Sequence, residues 1–325
     1  MERTHARSGW SIAVIASALG VSASSYCRWR DRRNWEASGE EPPPPVQPYE
    51  ILPEEREAVI DYALKHPDIR HRELAWRMVD EDAAYVSASS VYRILRYREL
   101  VCPWRLRSKR SRKPHEKASH PDEIWAVDIK YVLVGERHYY LVSFIDEYSR
   151  HIVYHELLRN MDGGSVSLAA QSALETLARD GEGRLLIEPV IRSDNGSCFI
   201  SGEFGKVLDE YGLTHYRIKP HCPEENGVVE RVHRTLDEAF EGEDLSDYYQ
   251  AVDIIAKKVK WYNTERLHSA IDFLRPIDYY RGDLERLREE RRRKMAQARH
   301  RRKERNLLIR QRTLPFTGAE VVTMY

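Results

Sequence analysis

One acid, Asp128, sits in the middle of Ile124-Trp125-Ala126-Val127-Asp128-Ile129-Lys130-Tyr131-Val132-Leu133-Val134, a run rich in β-branched and aromatic residues that meets no Gly or Pro until Gly135. Such a run predicts a buried strand over 124–134. A carboxylate there carries a heavy desolvation cost unless it is paired or bound to a cation, so the fold must bring it a partner. Two further acids qualify by position. Asp194 follows a strand predicted over 185–192, where Ser193-Asp194-Asn195-Gly196 turns the chain out of the sheet, at the kind of strand end where open α/β sheets place ligands. Glu230, with 35 residues between it and Asp194, lies in a segment that reads as a helix starting near Pro223. On that helix Asn226, Glu230, His233 and Arg234 share one face.

Three acids without cysteine ligands offer what hard divalent ions take, and Mg²⁺ is held by carboxylates together with phosphate and water. Two such ions about 4 Å apart clamp the attacking and leaving oxygens of an in-line displacement at phosphorus. Taken singly each acid is a weak signal, because an Asp in a strand is more often a structural acid and Ser-Asp-Asn-Gly alone makes a plausible turn. The surrounding words carry the weight.

Those words are Trp125-x-x-Asp128, Ile145-Asp146-x-x-Ser149-Arg150, Ser193-Asp194-Asn195-Gly196, Pro223-x-x-Asn226-Gly227-x-x-Glu230-Arg231, and Trp261-Tyr262-Asn263-x-x-Arg266-x-His268-Ser269-Ala270-Ile271 with Pro276. In this order, over residues 122–280, the chain resembles the bacterial insertion-sequence transposases of the third insertion-sequence family, OrfB type, within the DDE transposase and retroviral integrase superfamily. The resemblance implies a ribonuclease-H-like core, a mixed sheet flanked by helices. It implies that Asp128, Asp194 and Glu230 form the catalytic triad and hold two Mg²⁺ ions, or Mn²⁺ in their place. It also implies chemistry on DNA: cleavage at element ends with water, then attack of the freed 3′ hydroxyl on another DNA phosphate. The partners are then terminal inverted repeats and target DNA, and work on two ends at once implies at least a dimer. Two other readings are a ribonuclease H or junction-resolving nuclease of the same fold, and a DNA-binding regulator with an inactive core. A ribonuclease H would bring a fourth carboxylate, and retention of all three acids speaks against an inactive core.

One departure stands out. Many relatives carry a small hydroxyl residue two places after the first aspartate, where this chain has Lys130. Strand alternation puts Lys130 on the face of Asp128, where it could contact a phosphate, pair with an acid or reach out at the sheet edge. Asn195, His221, Asn226, Arg231, Arg266 and His268 are the remaining candidates near the core for DNA contact.

The formal charge of zero hides a segregation. Residues 1–120 hold 21 Lys and Arg against 17 Asp and Glu, residues 121–280 hold 17 against 29, and residues 281–325 hold 14 against 6, giving +4, −12 and +8. An acidic middle between basic ends suits a metal-binding core flanked by arms for a polyanion, although solvated surface charge would look the same. The sharpest basic run, Arg105, Arg107, Lys109, Arg110, Arg112 and Lys113, has no helical apolar stripe and reads as an extended linker able to track phosphates.

Near the N-terminus Val21-Ser22-Ala23-Ser24-Ser25-Tyr26 is echoed by Val86-Ser87-Ala88-Ser89-Ser90-Val91-Tyr92, and each leads into an Arg-bearing helix. Each copy reads as helix, tight turn and Ser-capped second helix, the grammar of a helix-turn-helix. The leading helices are Ile12 to Leu19 and Glu73 to Val79. Ser22, Ser24, Arg28 and Arg30 in the first copy, and Ser87, Ser89, Arg93 and Arg96 in the second, are the candidate DNA contacts. Helical hairpins of this size also serve as plain packing or dimerisation units. The echo argues against reading the N-terminal apolar stretch as a secretory leader.

The four cysteines, Cys27, Cys102, Cys198 and Cys222, have no paired spacing, which argues against a disulfide framework or a zinc module. No apolar run approaches the ~20 residues needed to span a bilayer, so a soluble chain is expected, and the resemblance implies the bacterial cytoplasm, with nucleoid association when bound to DNA. The predicted organisation is a helix-turn-helix at 1–36, a Pro-rich linker at 37–49, a second helix-turn-helix at 50–101, a basic linker at 102–120, the α/β core at 121–280 and a basic helical tail at 281–325. The core order is strands 124–134, 138–146 and 151–157, helix 165–179, strand 185–192, helix 202–211, strand 213–218, and helices 224–240 and 246–265. The tail, a helix over Asp283 to Arg312, has too few apolar residues for a buried stripe. It needs DNA, RNA or a second subunit, or is solvated.

Overall fold

A computed structural model describes residues 1–22, 25–30, 47–101, 118–218 and 226–313. Ser24, Arg105, Arg107, Lys109, Arg110, Arg112, Lys113 and His221 lie outside the described residues, as do the predicted helix start at Pro223 and nearly all of the Pro-rich linker. The chain groups into two compact units, one of Met1–Leu52 with Arg299–Tyr325, the other of Pro53–Ala298.

In the first unit α1 (Glu2–Ser8) ends on Gly9 at φ 68°, and Ser11 caps α2 (Ile12–Ala18) by accepting from the Val14 amide. Gly20, at φ 66°, turns the chain, and Ser22 Oγ accepts from the Ser25 amide at the start of α3, helical over 25–30. The described part of the first predicted helix-turn-helix therefore forms with the expected capping.

The second unit opens with three helices, α4 (Pro53–Lys65), α5 (His71–Asp80) and α6 (Ala88–Tyr97). They bury Val59, Leu74, Met78, Val79, Val91 and Leu95, and Ser87 caps α6 through the Ser90 amide.

The core is a five-stranded sheet in the order β3-β2-β1-β4-β5. Strands β1 (Ile124–Val134), β2 (Arg137–Asp146) and β3 (Ile152–Leu158) form an antiparallel meander. Beyond β1, β4 (Val190–Ser193) and β5 (His215–Arg217) add in parallel. Strand alternation splits the apolar residues between two cores. Trp125, Val127, Val142, Phe144 and Ile191 pack with α7 (Gly163–Glu175) and α8 (Gly202–Glu210) on one face. Ala126, Val132, Val134, Leu141 and Ile145 pack with α9 (Gly227–Phe240) and α10 (Tyr248–Thr264) on the other. This mixed sheet flanked by helices is the fold class that the sequence predicts.

β4 differs from its prediction. Leu185 forms only an isolated bridge to Arg179, Leu186 and Ile187 are exposed, and pairing with β1 begins at Val190. Pro189, without an amide hydrogen, closes off the ladder on that side.

Helix α10 pins both ends of β3: the Tyr248 hydroxyl donates to the Leu157 carbonyl at 2.7 Å, and the buried Asn263 amide exchanges two bonds with the Ile152 backbone at 2.9 and 3.0 Å. After α11 (Pro276–Arg281), the long α12 (Leu284–Thr313) forms where the basic tail helix is predicted. Within the second unit it finds a partner. Arg291, 7 % exposed, makes two bonds to the Asp80 carboxylate at 2.5 and 2.7 Å, donates to the Asp272 and Phe273 carbonyls and lies over Trp76. Among the described residues no helix is long and apolar enough to cross a membrane.

Asn263→Ala should leave the Ile152 amide and carbonyl short of partners in the core, lowering stability by roughly 2–3 kcal/mol, as checked by the urea midpoint; an unchanged midpoint would remove Asn263 from the framework.

Candidate active site

Asp128 lies on the α9 face of β1, and its cross-strand neighbour Ser143 is fully buried. Parallel pairing of Val127 with Ser193 sets the end of β4 beside the first half of β1, so Asp128 and Asp194 follow paired residues on adjacent strands. The Asp194 turn is held locally: its Oδ1 accepts from the Gly196 amide at 2.9 Å, and Asn195 donates to the Ile218 carbonyl at 2.8 Å, tying the turn to the chain after β5. Behind it Arg192 and Glu147, both buried, pair at 2.6 Å, with the guanidinium over the Tyr216 ring.

Helix α9 is amphipathic, with Val229, Val232 and Leu236 buried against the sheet. Its flank facing β1 carries Asn226, His233 and Asp237. Asn226 Nδ2 lies 3.5 Å from Asp128 Oδ2, and His233 Nδ1 lies 3.7 Å from the same oxygen. Lys130 Nζ binds Asp237 at 2.6 Å, so of the three roles open to this lysine the structure has it paired with an acid. Glu230 is exposed one turn before His233 and close enough for its charge to act on Asp128.

Burial pushes the Asp128 carboxyl up to about 6; the Ile129 amide opposes the shift and the charges of Asp194 and Glu230 add to it. His233 does not relieve this, because burial pushes its ring down to about 4, with Lys130 adding. At neutral pH Asp128 therefore faces a neutral imidazole and two acids. Three buried polar atoms beside it, Ser143 Oγ, Asn226 Oδ1 and His233 Nε2, have no hydrogen-bond partner. Acids whose charges act on one another next to unsatisfied polar atoms suit a hard cation, for which Asp128, Asp194 and Glu230 are the candidate oxygen donors. Among the described residues no group of three or more His, Cys, Asp or Glu side chains is placed to hold a metal ion. Mutual repulsion gives these acids no reason to close on one another in the absence of a cation.

Residues 118–223 and 211–276 match two family models, each described as an integrase core domain, and residues 3–44 match a homeodomain-like domain. Residues 118–276 thus carry the integrase core of the DDE transposase and integrase superfamily. It is 27 % identical over 165 residues to the transposase for insertion sequence element IS904 of Lactococcus lactis, covering 50 % of this chain and 63 % of that protein. It is 25 % identical over 164 residues to a putative transposase, InsK, for insertion sequence element IS150 of Escherichia coli, covering 50 % and 56 %. The chain thus spans less than two thirds of the length of either relative. A structure of the HTLV-2 integrase catalytic core domain in complex with magnesium aligns with 19 % identity and a TM-score of 0.41, over 50 % of this chain and 99 % of that one.

In this member of the superfamily the other sequence candidates fall into distinct settings. Arg28, Arg93 and Arg96 are exposed on α3 and α6, Arg30 is half-buried, and Ser22 and Ser87 spend their oxygens on helix caps, with Ser89 Oγ 3.1 Å from Ser87 Oγ. Arg231 is exposed on α9 and Arg266 half-buried after α10. His268 is buried, and its Nδ1 accepts from the Ala270 amide in the 3₁₀ turn Ser269–Ile271. Sequence reasoning did not single out Ser143 or Asp237, and gave His233 a face without a role. Only the helical spacing from Glu230 pointed toward His233 and Asp237.

The raised Asp128 pKa has a definite sign. Between about pH 4, the unfolded value, and about pH 6, the folded chain holds the extra proton, so this group's contribution to stability is present at low pH and lost as pH rises. In chelator, Asp128→Asn should raise stability at pH 8 by roughly 1–3 kcal/mol, with the gain shrinking toward pH 4, as read from urea midpoints. A gain equal at both pH values would contradict the buried-acid account.

Proposed function

We propose that this chain is a DNA transposase that cleaves the ends of its element and joins them to target DNA. The observation that supports the reading is the buried Asp128 carboxylate, on which the charges of Asp194 and Glu230 both act while His233 beside it is kept neutral by burial and Lys130 pairs with Asp237. The integrase core match and the insertion-sequence relatives support it.

Asp128, Asp194 and Glu230 would hold divalent ions, two Mg²⁺ with Mn²⁺ able to replace them, which supply Lewis acidity and a deprotonated water at neutral pH. Asp128 and Asp194 are fixed by strand pairing and by backbone amides, so their carboxylates need little rearrangement. Glu230, exposed on α9, closes the set from the helix side. Asn226 reaches the Asp128 carboxylate and orients it, and His233, kept neutral by burial, adds no charge to compete with a cation. The helix-turn-helix units, with exposed Arg28, Arg93 and Arg96, hold the terminal repeats. Acting on two ends brings at least two copies together.

Incubation of the purified chain with terminal-repeat duplex and Mg²⁺ tests the reading through joined products. Asp128→Asn, Asp194→Asn and Glu230→Gln should each reduce joining by more than about a hundredfold while changing duplex affinity by less than about threefold. Cleavage of RNA in hybrids, or sequence-specific binding with no strand breakage by the native chain, would replace this proposal with a ribonuclease or a regulator.

A further inference from the structure

Within the second unit, Arg288, Arg291 and Lys294 follow one another at every third residue of α12, so they share one flank of its first half. Each holds a residue whose backbone lies in the left-handed region. Arg288 pairs with the Asp272 carboxylate at 2.5 Å, Arg291 donates to the Asp272 and Phe273 carbonyls at 3.0 and 2.8 Å, and Lys294 binds the Asp82 carboxylate at 2.6 Å. Asp272, Phe273 and Asp82 stand at φ 57°, 54° and 56°. Glycine is at ease there, whereas two successive residues with side chains, one of them a phenylalanine, are strained and persist only where their surroundings hold them.

These cations also join two bodies. Asp272 and Phe273 lie on the core side, between the 3₁₀ turn Ser269–Ile271 and α11, while Asp80 and Asp82 lie at the end of α5. The Arg291 fork takes the Asp80 carboxylate at 2.5 and 2.7 Å as its remaining donors reach the loop carbonyls, so a single guanidinium bridges α5 to the loop, and it covers Trp76 at 4.8 Å. Lys294 adds a bond to the Val79 carbonyl at 3.2 Å.

Apolar packing does not close this junction. A cavity of about 380 Å³ lies there, lined by Arg77, Asp80, Glu265, Arg275, Asp278 and Arg291 among others. Beside it Arg77 reaches the Glu265 carbonyl only at 3.4 Å. Helices α4–α6 have buried residues of their own in Val59, Leu74, Met78, Val91 and Leu95, and polar interfaces between bodies with separate cores permit relative motion unless something pins them. Water reaches the acidic side of the pins, since the Asp80 and Asp82 side chains are 37 % and 61 % exposed against 8 % and 14 % for Arg291 and Lys294.

We propose that the first half of α12 is an ionic strap that latches the α4–α6 module onto the core, and that breaking the Arg291 and Lys294 pairs frees the module as one piece with both bodies still folded. The second helix-turn-helix is then a hinged arm held in place, and salt loosens it. This inference stands apart from the DNA-joining reading.

Hydroxyl-radical oxidation of the full chain, read residue by residue by mass spectrometry, tests the strap. Trp76 reports on the junction, and Trp125, 0 % exposed, reports on the sheet. Asp80→Asn removes one half of the fork and keeps Arg291, so it should raise Trp76 oxidation several-fold and leave Trp125 at its native rate. In the native chain ~1 M sodium chloride, where the screening length falls to about 3 Å, should do the same and add little to the effect of Asp80→Asn. The exposed Asp61→Asn is the control and should change neither residue. Lys294→Met, which spares the fork, should give a smaller rise and serves if Asp80→Asn does not fold. Amide exchange over residues 268–274 should stay slow in Asp80→Asn and quicken in Arg291→Met, because only the second change removes the donors from the strained carbonyls. A native Trp76 rate in Asp80→Asn or in high salt overturns the proposal. So does a rise in Trp125 alongside Trp76, since the unit is then loosening as a whole, and so does unchanged exchange over 268–274 in Arg291→Met.

Discussion

The organisation of the core depends on one costly placement, a carboxylate in the interior of a five-stranded sheet. Asp128 is tolerable only if the helix packed over it offers polar groups at its position, and this fixes how α9 lies on β1. Two residues of strand advance about 6.8 Å and four residues of helix about 6.0 Å, so Asp128 and Lys130 can face His233 and Asp237 together. The contacts are those of this register, with Lys130 on Asp237 and Asp128 beside His233. A slip of one turn would set Lys130 against a neutral imidazole and bring the neighbourhood of Glu230 onto Asp128 with no cation between them. Polar pairing thus sets the register, and Val229, Val232 and Leu236 supply the adhesion.

The same placement explains why the site lies where β4 ends beside the first half of β1. Toward Val134 the α9 face is apolar and closed by Val132, Leu141 and Leu236. Toward the end of β4 and the first half of β1 the sheet is framed by charge instead. Arg192, two residues before Asp194 and on the same face, is consumed by Glu147, so this buried cation does not neutralise the acids in front of it. Glu147 is itself pushed up by burial and pulled back by Arg192 and Arg150. Behind the Asp194 turn the buried acid Glu147 is thus offset by arginines, whereas Asp128 has only a neutral imidazole and two further acids acting on it.

Much of this was legible in the sequence where local chemistry decides. The run 124–134 is a strand from end to end because its β-branched and aromatic residues agree with burial on both faces. Ser22 and Ser87 mark helix starts because an N-cap is a local hydrogen bond. The start of β4 was not legible, since Leu185, Leu186 and Ile187 carry strand composition but lack a neighbouring strand to pair with. Nor could the sequence choose among the roles of Lys130, because its partner Asp237 lies on a helix whose register depends on tertiary packing. His268 illustrates the converse: a histidine in a motif reads as a contact residue, yet its environment makes it a buried cap.

The repeated Ser-x-x-Ser word persists at the level of atoms. In the first copy Ser22 Oγ accepts from the Ser25 amide and donates to Ser25 Oγ, which accepts from Arg28; in the second, Ser87, Ser90 and Arg93 make the same three contacts. The first and second serines of each word are thereby occupied, and the role of the word shifts from touching a ligand to setting the arginine at the helix start. A side chain tethered in this way loses less freedom when it meets a phosphate or a base edge than one free to wander. Two sites with the same tether, each at the start of an Arg-bearing helix, make a pre-set arginine the feature that the two modules share, with serine capping as the means of setting it.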